Sequence, residues 1–106
     1  MTVYLSSTFS LNRIIGRHTI EVHSENIEYV KSLLANGFTG IVGDKLRAKV
    51  AEVKLGMPVR FSRQSVTLWQ GDILVVMDMK LRKGKRELTE EEMKWWPVDW
   101  YIFEFK

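Results

Sequence analysis

Residues 72–79, DILVVMDM, constrain the fold of this chain more than any other stretch. From Ile73 to Met77 the run does not alternate, so neither of its faces is meant for water. As a strand it must lie in the middle of a sheet that is covered on both sides. Its length is far below the ~20 apolar residues that cross a bilayer as a helix. Such a strand needs neighbours, and the chain supplies them. VYL near the N-terminus reads as one; TIEVH, with Ile20 and Val22 alternating against Thr19, Glu21 and His23, reads as another. SVTLW reads as the first arm of a hairpin with DILVVMDM, turning at Gln70-Gly71, and VDWYIFEF as the last strand.

Helices fill the intervals. Ser24 is placed to cap a helix with Ile27, Val30, Leu33 and Leu34 on one face, ended by Asn36-Gly37. Asp44 is placed to cap a second, with Leu46, Val50 and Val53 in a stripe and Gly56 as its stop. The two helices are expected to follow one another directly. Thr89 and Glu92 form a capping box for a short third helix, which Pro97 closes. The expected fold is α+β: a small mixed, mostly antiparallel sheet of about five strands with helices mainly on one face. With 106 residues and no repeat or linker, residues 1–106 are expected to form a single domain.

Composition excludes several function classes. There is no cysteine for a thiol nucleophile or a metal cluster, and no Gly-Lys-Ser/Thr phosphate loop. His18 and His23 are five residues apart on an expected strand, so they point to opposite faces and cannot jointly hold one metal. No metal or cofactor is expected. The chain does not open on a secretion signal, and the missing cysteines suit a reducing interior, so a cytoplasmic site is expected. Net charge is +3, concentrated in KLRKGKR with Lys80, Arg82, Lys83, Lys85 and Arg86, just before the acids Glu87, Glu90, Glu91 and Glu92.

What remains are anion-binding features, each with a plainer reading beside it. The helix start at Gly43-Asp44, reinforced by Lys45 and Arg47, offers backbone N–H groups to a phosphate unless Asp44 takes them itself. The basic run is a ligand contact or a solvated loop, and Arg63 is a ligand contact or one half of an ion pair. Trp95 and Trp96 either pack the short helix on the sheet or on a partner subunit, or stack on bases.

Taken together these positions resemble the viral ring nuclease family, the type III anti-CRISPR proteins of archaeal viruses and phages that bind and degrade cyclic tetraadenylate. The resemblance runs through YLSSTFS, GIVGD at 40–44, KLGMP, Ser62-Arg63, Gly71-Asp72, LRKG and GKRELTEEE, in the family's spacing from Gly43 to Arg82. It implies a homodimer with a symmetric pocket for a cyclic oligoadenylate. A ribose 2′-hydroxyl attacks its neighbouring phosphate there without metal, while a histidine at the helix start protonates the leaving oxygen. It further implies that Arg63 and Arg82, with Lys45, Arg47 and Lys83, surround phosphates, that Ser7 touches the ring, and that Gly43 lies beneath it. The chain departs from the pattern where the chemistry is done. Asp44 stands in place of the histidine, Ser7 and Ser62 in place of asparagines, and the glutamate near the basic loop is missing. Asp44 is then a plain cap, a protonated acid, a carboxylate bridged by Lys45 or Arg47, or a contact for another ligand. Slow, altered or absent cleavage is expected. The alternative function is a small basic dimer that binds duplex DNA or a host protein and has lost the ring pocket.

Overall fold

The computed structural model describes residues 2–9, 19–81 and 87–106. Their elements are β1 (Val3–Ser6), β2 (Ile20–Glu25), α1 (Ile27–Leu34), β3 (Thr39–Gly40), α2 (Lys45–Leu55), β4 (Ile73–Met79), α3 (Glu90–Trp95) and β5 (Val98–Phe105). They form one five-stranded sheet of order β2-β5-β4-β1-β3. The antiparallel ladders β4/β5 and β2/β5 are the long ones, and the parallel ladders β1/β4 and β1/β3 are shorter. The sheet is therefore mixed and mostly antiparallel, in an α+β fold.

β4 sits at the centre, and six of its seven residues are buried. Its side chains divide between two cores. Ile73, Val75, Met77 and Met79 face a layer built from all three helices, with Val30, Leu34, Ala48, Val50, Ala51, Leu55 and Met93. Leu74 and Val76 join Phe105, Ile41 and Leu68 in a second cluster to which no helix contributes. The helices thus lie on one face. The other face is covered by Val66 and Leu68 of the segment before β4, and by Phe9, stacked on Phe103 at 4.3 Å between ring centroids.

That cover corrects the expected hairpin. Residues 65–69 form no named strand, because both edges of β4 are already occupied by β1 and β5. The alternation of Val66 and Leu68 is real, but it serves to lay the segment across the sheet. The turn at Gln70-Gly71 does form: Gly71 has φ +91°, a left-handed conformation open to glycine, and the Asp72 N–H donates to the Trp69 carbonyl at 3.0 Å.

Two further expectations change. The cap of α1 is Asn26, whose side chain accepts from the Tyr29 N–H, because Ser24 is held in β2 opposite Tyr101. β3 intervenes between α1 and α2, where Thr39 and Gly40 pair with Tyr4 and Leu5. The remaining local signals act as expected. Asp44 caps α2, Gly56 stops it at φ +68°, and Thr89 with Glu92 makes the capping box of α3. None of the helices among the described residues is long and apolar enough to cross a membrane.

Candidate functional site

β3, β1 and β4 lie side by side and run in the same direction, so their carboxyl ends share one end of the sheet. Crevices outside the carboxyl ends of parallel strands are where open sheets collect ligands. Ser7 and Thr8 follow β1, Gly43 and Asp44 follow β3, and Asp78 and Met79 end β4. The segment after α2 closes the ring: Phe61 bridges to Val42 in parallel register, and the Ser62 N–H donates to the Val42 carbonyl at 2.9 Å. The result is a cavity of about 620 Å³ lined by Ser7, Thr8, Gly43, Asp44, Arg47, Ser62, Arg63, Gln64, Ser65 and Asp78, among others.

Five residues expected from the sequence, Ser7, Gly43, Asp44, Arg47 and Arg63, therefore meet in one place. Arg63 reaches the tip of α2, where a Cβ added to Gly43 would touch its Cγ at 3.6 Å. Lys45 does not line the cavity; its ammonium stands 5.5 Å from the centre of the Phe61 ring. Arg82 and Lys83 lie outside the described residues, as does His18. His23 is on β2, hydrogen-bonded to Glu25 and Glu104, away from the cavity. Among the described residues no cluster of three or more His, Cys, Asp or Glu could hold a metal ion.

The helix start is closed to an incoming anion by its own cap. Asp44 Oδ1 accepts from the backbone N–H groups of Leu46 and Arg47, at 2.8 and 3.3 Å, and Oδ2 accepts from the Arg47 guanidinium. Burial pulls the Asp44 pKa upward. The Arg47 side-chain bond, the two backbone N–H bonds and the Arg47 charge outweigh that pull and hold the carboxyl below its ordinary value. Asp44 is thus a cap and a carboxylate bridged by Arg47, ionised at neutral pH. Arg47 is held as well, since its second terminal nitrogen donates to the Met79 carbonyl at 3.1 Å.

Arg63 differs. Its guanidinium rests 5.6 Å from the centre of the Phe61 ring, and among the described residues no carboxylate pairs with it. Thr8, Gln64, Ser65 and Asp78 line the cavity although sequence reasoning passed over them. Asp78 left one usable signal, a single acid within the otherwise apolar strand.

A larger cleft of about 940 Å³ lies elsewhere, between the start of β5 and the ends of α2 and α3. Its lysines 54 and 94 are matched by Glu25 and Asp99, and Lys54 already donates to the Lys94 carbonyl at 3.3 Å. Size alone does not make it the better anion site.

The fold and the cavity define a class: a small α+β protein with an arginine-bearing pocket across the ends of parallel strands. The chain belongs to the STIV B116-like family, whose model matches residues 3–101. Among solved structures it is similar to B116 of Sulfolobus turreted icosahedral virus, a viral protein. The TM-score is 0.79 at 19% identity, with 98% of this chain and 99% of that chain covered. No curated protein matches the sequence. At such low identity the likeness speaks for the fold alone.

Proposed function

We propose that this protein binds a cyclic oligoadenylate second messenger, with cyclic tetraadenylate as the first candidate, and cuts it slowly or not at all. The observation that carries this reading is Arg63, a guanidinium at the cavity wall with no carboxylate partner among the described residues. Charge-assisted bonds from such a group to phosphate are among the strong ones. The cavity of one protomer, about 620 Å³, suits a single drug-sized ligand. A ring of four nucleotides extends past it, so a second copy of the chain completes the pocket.

Cleavage by the ribose 2′-hydroxyl needs in-line geometry and a proton for the leaving oxygen. Asp44 holds no proton near neutral pH and cannot supply one. An isolated carboxylate about 4 Å from a phosphate would also repel it by on the order of 4 kcal/mol at an effective dielectric of 20. Arg47, bonded to that carboxylate, offsets most of this, which leaves binding possible and acid catalysis lost. Such a protein acts in the host cytoplasm by sequestration, since a bound messenger activates no effector.

Pure protein incubated with labelled cyclic oligonucleotides, without added metal, separates bound, cut and untouched material. Cyclic tetraadenylate is expected to be bound and left mostly intact. Arg63→Ala is expected to bind it at least about tenfold more weakly, the scale of one lost charged hydrogen bond. Asp44→His is expected to gain cleavage. Equal binding by Arg63→Ala, or full-speed cleavage by the parent, overturns the reading. So does tighter binding to arbitrary duplex DNA with a steep salt slope.

A further inference from the structure

α3 carries a surface that shares no lining residue with the Arg63 cavity. Trp95 is 78% exposed, more than any other large hydrophobic residue among those described. Its indole is not loose, because Nε1–H donates to Glu91 Oε1 one turn back, at 3.0 Å. The next residue, Trp96, is anchored by its own Nε1–H on the Lys80 carbonyl, also at 3.0 Å. With Pro97 they wall a recess of about 330 Å³, and Glu91 and Glu92 supply the rest of its lining. The capping box of Thr89 and Glu92 holds this turn of chain in shape.

The sequence reading expected Trp95 to pack against the sheet or a partner subunit, or to stack on a base. Within the protomer it packs against neither the sheet nor the helical core. A base with its phosphate suits this place poorly, because the acids Glu91 and Glu92 line it. A cation suits it well. The face of an indole attracts positive charge, and a carboxylate accepting the indole N–H pushes electron density toward that face. The helix's own cation, Lys94, stands 3.9 Å from Glu91 Oε2 and is 60% exposed, at the outer limit of an ion pair.

We propose that the Trp95–Trp96–Pro97 recess docks a lysine- or arginine-bearing segment of a partner protein. The cationic head of that segment lies over the Trp95 indole and pairs with Glu91, while its aliphatic stem fills the recess against Trp96 and Pro97. Charge complementarity selects this occupant over an acidic or wholly apolar one.

The test titrates the intact protein with a capped hexa-arginine peptide, and with a capped hexa-glutamate peptide as control. Calorimetry gives the affinity, and the Trp95 indole N–H resonance, assigned with the variants, gives the place. Trp95→Leu keeps apolar bulk and removes the π face, and it is expected to weaken binding about tenfold. Glu91→Gln is expected to weaken it about threefold. Both side chains are exposed, so melting temperatures near that of the parent are expected and certify folding. Absence of binding at millimolar peptide, an unchanged affinity in Trp95→Leu, or equal binding of hexa-glutamate overturns the proposal. Self-association that Trp95→Leu abolishes, seen by sedimentation without peptide, also overturns it by giving the recess to a second copy.

Discussion

Asp44 is the residue whose replacement separates stability from chemistry. In Asp44→Ala two backbone N–H groups of the first turn of α2 lose their acceptor, and Arg47 loses its carboxylate. Loss of a good N-cap costs about 0.5–2 kcal/mol. The ion pair adds less than about 1 kcal/mol, because the Asp44 and Arg47 side chains are 38% and 25% exposed and water screens them. The sum, about 0.5–3 kcal/mol, lowers the melting temperature of a domain this size by on the order of 10 °C. Asp44→Asn keeps a capping oxygen and loses only the charge, so it should lose less than about 1 kcal/mol. The sign of the pH dependence follows from a folded pKa that lies below the ordinary 3.8. The stabilisation is fully present above 3.8 and is lost as pH falls through the depressed folded value. Urea unfolding of the parent and both variants at pH 7 and pH 3 measures this. The gap between parent and Asp44→Ala should be widest at pH 7 and narrow at pH 3. An alanine variant as stable as the parent at pH 7, or a gap that widens in acid, would refute the assignment of Asp44 as an ionised cap. The same reasoning makes Asp44→His, the variant expected to cut the ring, less stable than the parent.

Other perturbations probe the frame that presents the cavity. Asp72 is 7% exposed and accepts from the Thr2 and Trp69 N–H groups through separate oxygens. Asp72→Asn must present an amide N–H to one of those donors, and calorimetric melting should show a loss of about 1–3 kcal/mol. Met77, fully buried in the central strand, should cost about 2–5 kcal/mol as Met77→Ala in denaturant titration. Arg63→Ala, by contrast, should melt with the parent, since it breaks no ion pair among the described residues.

Where a signal acts within a turn or two of chain, it was legible. The carboxylate of Asp44 reaches N–H groups two and three residues ahead, Thr89 and Glu92 satisfy each other, and Pro97 ends α3 just before β5 begins. The cap of α1 shows the limit of such reading. Ser24 and Asn26 are both competent caps, and the choice fell to Asn26 because the ladder to β5 runs on to Glu25. Five positions singled out in the sequence, Ser7, Gly43, Asp44, Arg47 and Arg63, are separated by up to 56 residues yet share one cavity. The place of Asp78 was not legible, although its charge stood out, because only the parallel run of β3, β1 and β4 carries the end of that strand to the same cavity.

By itself the sequence determined that a central strand exists and where α2 and α3 start. Those properties follow from side-chain chemistry and short-range hydrogen bonds. Only the tertiary structure decided that residues 65–69 cover the sheet instead of joining it, since the edges of β4 had gone to β1 and β5. It also decided the charge at the site. One guanidinium is spent on Asp44 and the Met79 carbonyl, while Arg63 is set on an aromatic ring without an acid, and a list of residues does not contain that division.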